Sequence, residues 1–156
     1  MKAQERLAAY LQEQGVDFSA HRHPQAFTAQ EVAASEHVSG HRFVKVVMVK
    51  GDEKLAMACV PASLDVDLDA VASLLEVEEV RLAEESEFAP LFGDCEVGAM
   101  PPFGNLYEVP VYLDEALEED GRIVFNAGTH RETIEMSVHD FERLVHPKVA
   151  SFATTH

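Results

Sequence analysis

The sequence holds only two cysteines, Cys59 and Cys95, in neither a CxxC pair nor a zinc-ligand spacing. No disulfide framework organises such a chain, and the pair reads as two reduced thiols of a cytoplasmic protein. No apolar run approaches the roughly 20 residues that span a bilayer, so no membrane partner is expected. The first ten residues are charged and amphipathic, which argues against a secretory signal. No internal repeat or low-complexity linker interrupts the 156 residues, and one domain over 1–156 is expected. GxSxG, P-loop, GxGxxG and HExxH motifs are all absent.

Basic residues are also scarce: 12 Lys and Arg stand against 28 Asp and Glu, for a formal net charge of -16. The imbalance is local. Residues 1–54 carry 7 basic and 7 acidic side chains, whereas residues 55–156 carry 5 and 21. An acidic surface repels phosphate, which excludes DNA and other non-specific nucleic-acid binding. A specific nucleic acid could still approach the neutral first third, through Arg22, Arg42, Lys45, Lys50 and Lys54.

What remains is a well-patterned globular chain, 47% hydrophobic. Ala3, Leu7, Tyr10 and Leu11 share one face of an opening helix over 3–14, stopped by Gly15. Residues 16–20 alternate as a half-buried strand. Thr28 to Glu31 has capping-box spacing for a helix ending near 39–40. Residues 43–49 form an apolar, β-branched run suited to an interior strand, and 55–60 return beyond a turn at Gly51-Asp52. Asp67 caps a helix over 68–75. A short strand at 80–83 and a short helix at 86–92 precede a Gly/Pro-rich loop over 93–106. Strands at 109–113, 123–126 and 133–136 follow. Ser137 opens a last helix to Val145, which Pro147 stops. Strands and helices mix without βαβ rhythm, so the expected fold is α+β, a mixed curled sheet flanked by helices.

Three features break the pattern in ways that suit chemistry. Lys45 interrupts an otherwise buried strand, where an ammonium must reach water, an acid or a phosphate. The stretch from Val97 to Asn105 combines two glycines with two prolines, a stiff loop whose N–H groups can face a developing negative charge. Gly98, Ala99, Met100, Phe103 and Gly104 are its possible donors. His130 follows a strand in a turn, where it could orient water or a hydroxyl. The histidine pairs His21/His23 and His37/His41 lack an acidic third ligand, so no metal or other cofactor is expected.

The pieces in order resemble the YbaK/prolyl-tRNA-synthetase-associated editing domain family. The resemblance runs from His23-Pro24 and Phe27-Thr28-Ala29-Gln30-Glu31-Val32-Ala33 through Val44-Lys45-Val46-Val47-Met48-Val49 and Pro61. It continues with Gly98-Ala99-Met100-Pro101-Pro102-Phe103-Gly104 and Val109-Pro110-Val111-Tyr112-Leu113-Asp114-Glu115. It closes with Asn126-Ala127-Gly128 and residues 137–144. The family hydrolyses amino acids wrongly attached to tRNA. The resemblance implies catalytic roles for Lys45, Gly98 and His130. It implies substrate contacts from Phe27, Thr28, Val46, Ala99, Met100, Pro101, Pro102, Phe103 and Gly104. Val46 departs from the polar residue that follows the lysine in many members. The implied substrate is the acceptor end of an aminoacyl-tRNA, with alanine or cysteine on proline tRNA first in order, and an aminoacyl-tRNA synthetase as a further partner. Two other readings stay open: a non-catalytic module that binds tRNA or a synthetase, and a hydrolase of small esters or thioesters.

Overall fold

The computed structural model describes residues 2–23 and 39–155. The helix expected to begin at Thr28 lies outside them. The opening helix α1 (Ala3–Glu13) buries Ala3, Leu7 and Leu11, the spacing that gives one apolar face. Strand β1 (Phe18–Arg22) then pairs antiparallel with β8 (Glu132–Ser137), which pairs antiparallel with β7 (Arg122–Asn126).

A second, five-stranded sheet has the order β5-β2-β3-β6-β9. Its centre is the hairpin of β2 (Val44–Gly51) and β3 (Lys54–Pro61), in register from Val44 opposite Pro61 to Gly51 opposite Lys54. The turn residues Asp52 and Glu53 both take positive φ, as a two-residue hairpin turn requires. Strand β5 (Val80–Leu82) lies antiparallel beside β2, while β6 (Val111–Asp114) and β9 (Lys148–Ala150) are parallel additions. The sheet is therefore mixed, and the fold is α+β as expected.

One parallel bridge, Phe43 opposite Val124, joins the two sheets, with the Val124 N–H donating to the Arg42 carbonyl at 3.2 Å. Both side chains are buried. Along β2, Val44, Val46 and Met48 turn toward the larger core, with Leu7 and Leu11 of α1, Ile123 and Phe125 of β7, and Phe141 of the last helix. Val47 and Val49 alternate to the other face, where a smaller core forms with Ala58, Val60, Val71 and Phe152. Helix α2 (Leu68–Leu75) covers that smaller core. Its cap is Asp67, whose side chain accepts from the Asp69 and Ala70 N–H groups.

Residues 86–92 do not form one helix. A four-residue turn, α3 (Glu85–Phe88), passes into a 3-10 turn at Ala89–Phe92, where Pro90 cannot continue the α ladder. Glu87 in α3 binds both Arg81 and Lys50, and those hydrogen bonds hold its carboxyl well below the ordinary range. Two short strands absent from the sequence reading, β4 (Asp65–Val66) and β10 (Ala153–Thr154), pair with each other near the chain end. Buried Asp114 secures that end. Its Oδ1 accepts from the Phe152 and Ala153 N–H groups at 2.8 Å each, and its Oδ2 accepts from Ala116 N–H at 3.0 Å. Asp114→Ala leaves three donors without their carboxylate and should destabilise the fold by about 3 kcal/mol or more, measured by urea unfolding.

Helix α4 (Val138–Val145) is capped by Ser137 and buries Val138, Phe141 and Val145. On the same helix, burial and then the neighbouring Glu118 carboxyl raise Glu142 from an ordinary 4.5 to about 7. The folded chain thus binds a proton that the unfolded chain releases at lower pH. Its contribution to stability is present below the unfolded pKa and is lost as pH rises from about 4.5 to about 7. Glu142→Gln should flatten that part of the stability–pH curve, read from melting temperatures between pH 4 and 8. An unchanged slope would show that the proton is not held there.

Candidate active site

The loop after Phe92 is fixed at both ends by aromatic packing. Phe92 lies 4.4 Å from the Tyr107 ring, and Phe103 meets Phe141, Phe125 and Tyr10 at 5.3, 5.5 and 6.2 Å between ring centroids. Pro101 and Pro102 between them are buried. Gly104 follows because any Cβ there would run into the Val109 carbonyl and the Val111 side chain. Met100 and Phe103 therefore give their side chains to the larger core, and only their backbones remain for a ligand.

Gly98 has φ +84, the left-handed region that glycine enters without strain. A Cβ at this position would sit 3.5 Å from the His130 ring. The loop is stitched to the turn that carries that ring. Glu96 N–H donates to Gly128 O at 2.7 Å, and Gly128 N–H donates to Ala99 O at 2.9 Å. His130 Nε2 lies 2.7 Å from Val97 O, and the His130 backbone N–H donates to the Glu96 carboxylate at 2.8 Å. His130 is only 6% exposed. Gly98 and His130, singled out separately in the sequence, belong to one unit.

Of the loop's possible donors, the Ala99 N–H is already used, because it donates to Glu96 O at 3.1 Å in a turn. The Gly98, Met100, Phe103 and Gly104 N–H groups make no hydrogen bond among the described residues. Of these, Gly98 lies within the turn stitched to His130 and Met100 directly follows it.

Lys45 has an ion pair of its own. Its ammonium donates to Asp65 at 2.9 Å, and its side chain is 25% exposed. It lines a hollow of about 340 Å³ with Val47, Asp65, Val66, Leu68 and Leu82, none of them from the Gly98 loop. Strand geometry still places it on the way to that loop. Lys45 is two residues beyond Phe43, and Asn126 is two residues beyond Val124, on parallel strands bridged at Phe43 and Val124. Both therefore turn to the same sheet face, and Ala127-Gly128 leads from Asn126 into the stitched loop. Val46 faces the opposite way and packs against the larger core. Phe27 and Thr28 lie outside the described residues.

Two residues to which the sequence reading gave no site role emerge here. Asn126 is 7% exposed, and its Oδ1 has no hydrogen-bond partner. A polar residue ending the apolar run Ile123-Val124-Phe125 was its signal. Glu96 had none, being one more acid in an acidic chain. Neither cysteine is a nucleophile of this site. Burial pushes the Cys59 thiol up strongly and the Cys95 thiol up to about 11, so thiolate is scarce. Among the described residues no three His, Cys, Asp or Glu side chains gather as a metal-ligand set, and no helix is long and apolar enough to cross a membrane.

A family profile described as the aminoacyl-tRNA editing domain matches residues 23–144. The chain belongs to that family. The editing domain is also similar to a proline–tRNA ligase of Bacillus subtilis (strain 168), with 32% identity over 95 residues. That match covers 61% of the chain and 17% of the ligase, so the chain spans a small part of the curated relative. Among solved structures, it superposes on a candidate trans-editing enzyme for prolyl tRNA synthetase with TM-score 0.84 and 23% identity, covering 97% of each chain. A scaffold from computational epitope grafting gives TM-score 0.86 and 23% identity, covering 100% of this editing domain and 99% of the scaffold. At such identities the two structures speak for the fold alone.

Gly98→Val tests the loop. A β-branched residue at φ +84 costs about 1–3 kcal/mol of backbone strain, and its branches press on His130. Turnover should fall by about 100-fold or more through displaced donors, while circular dichroism shows a folded chain. Wild-type turnover in the folded variant would remove the loop from the site.

Proposed function

We propose that this editing domain hydrolyses the ester of mischarged aminoacyl-tRNA in the cytoplasm, with alanine or cysteine on proline tRNA as substrate. The carrying observation is that the unbonded amides of Gly98 and Met100 lie within and directly after the turn stitched to His130, in a loop immobilised by its own core packing. An aminoacyl ester is already activated, so water needs positioning and a place for negative charge, with no enzyme nucleophile. The two amides take the ester oxygen as it becomes an oxyanion. The free ribose hydroxyl beside the ester assists the attacking water, and His130 orders this edge of the site.

Lys45 acts at the other end. Its ammonium exchanges Asp65 for the phosphate of the terminal adenosine, so the acceptor end runs from Lys45 past Asn126 to the Gly98 loop. Selection is by exclusion. A hydrophobic pocket separates one methylene by only about 1–3 kcal/mol, so a site that refuses the larger cognate amino acid complements a synthetase that admits the smaller one.

The test is a deacylation screen against tRNAs charged with different amino acids, with wild type and Lys45→Ala in parallel. Wild type should release alanine or cysteine from proline tRNA and spare the cognate pair. Lys45→Ala should lose at least about 100-fold in kcat/KM. Its melting temperature should barely move, because a half-exposed ion pair contributes little to stability. Binding of charged tRNA without hydrolysis would make the chain a non-catalytic module. Hydrolysis of small esters that uncharged tRNA does not inhibit would make it a different esterase.

A further inference from the structure

Among the described residues, five hydrogen bonds shape this unit, one within the Gly98 loop and four between it and the His130 turn, and four of the five use groups that no side-chain change outside the site can remove. Three run between backbone groups: Glu96 N–H to Gly128 O at 2.7 Å, Gly128 N–H to Ala99 O at 2.9 Å, and Ala99 N–H to Glu96 O at 3.1 Å. The fourth joins the His130 ring to Val97 O at 2.7 Å. The fifth is different. It joins the Glu96 carboxylate to the His130 backbone N–H at 2.8 Å.

Glu96 is an exposed residue, yet its carboxylate crosses 34 positions to satisfy a donor on a nearly buried one. The bond closes a ring. From the Glu96 side chain the path runs to His130, back along the chain to Gly128, across to Ala99, and home through the Ala99–Glu96 turn. Gly98 lies within that turn and Met100 directly follows it. The orientation of both free amides is thereby set by a ring whose single removable member is Glu96.

We propose that Glu96 is a positioning residue for deacylation, latching the His130 turn to the Gly98 loop so that the Gly98 and Met100 amides stay aimed at the ester oxygen. This rests on the deacylase reading above. A carboxylate is not required for the latch, only an acceptor at that reach. Glutamine keeps the acceptor and alanine does not. Oxyanion donors act chiefly in the transition state, so loosening them lowers kcat and leaves ground-state binding largely intact. A misplacement of about 1 Å suffices for about 100-fold.

The experiment compares wild type, Glu96→Gln and Glu96→Ala on alanyl-tRNA for proline, with hydrogen exchange of the His130 amide followed by NMR on the same samples. Glu96→Ala should lose about 10- to 100-fold in kcat with KM within about threefold. Glu96→Gln should recover to within about threefold of wild-type kcat. The His130 amide should exchange slowly in wild type and in Glu96→Gln, and much faster in Glu96→Ala. Equal kcat for the alanine variant and wild type overturns the proposal, as does a glutamine variant as slow as the alanine one. If Glu96→Ala melts cooler, rates taken where circular dichroism shows all three folded decide the matter in the same way. A wild type that deacylates no charged tRNA would defeat the deacylase reading instead, and the exchange data would still report whether the latch exists.

Discussion

The bridge between Phe43 and Val124 is the contact on which the arrangement depends. Without it the three-stranded and five-stranded sheets would be separate layers, each with its own alternation of faces. With it, β2 and β7 run parallel for one turn of the pleat, and side chains two residues further on emerge on the same side. That fixes Lys45 and Asn126 on one face while Val44 and Phe125 close the larger core on the other. A slip of one residue would send Lys45 into that core, where an ammonium without a partner is costly. Both bridge residues are large, apolar and fully enclosed, so burial of this junction opposes such a slip.

Electrostatics adds a second constraint. Read as sequence, Arg22, Arg42, Lys45, Lys50 and Lys54 look like an open cationic face for a polyanion. In the fold, Arg42 is paired with Glu135 at 3.5 Å, Lys45 with Asp65 at 2.9 Å and Lys50 with Glu87 at 2.7 Å. Of the five, Arg22 and Lys54 are left without a carboxylate partner among the described residues. Under the proposed function, an acceptor end would exchange carboxylate partners for phosphate at defined positions, which favours a correctly placed end over nucleic acid in general. The acidic remainder of the chain works in the same direction, since a duplex laid elsewhere meets repulsion.

Much of this was legible in the residues. The strand around Lys45, the helices capped by Asp67 and Ser137, and the Gly/Pro loop all follow from local rules of period, cap and breaker, and they form where those rules put them. The parts that escaped are those made by distant partners. Strands β4, β9 and β10 are two or three residues long and exist because Asp114 and the neighbouring sheet satisfy their backbones. Their pairing, not a local apolar pattern, makes them strands. The loop from 97 to 105 was recognisable as stiff, but its division of labour was not. Which amide is spent in a turn and which is free depends on Glu96 and Gly128, the latter brought in from 32 positions away along the chain. Asn126 and Glu96 likewise acquire meaning only once β7 and the loop are side by side.

The division of labour within the loop explains how a small domain can keep backbone donors in place. Preorganised amides are useful only if they do not rotate toward solvent when the ligand is absent. Here the same residues serve both ends. Met100 and Phe103 send side chains into the core among Tyr10, Phe125 and Phe141, while Pro101 and Pro102 between them fix φ and remove two competing donors. The core thereby holds the loop from beneath, and the His130 turn holds it from the side. A loop anchored on one flank alone could still pivot about that anchor. Anchored on two, it leaves the glycine at 98 as the point where an unusual φ is needed, which is why conformational freedom is concentrated at a position that is itself locked by its neighbours.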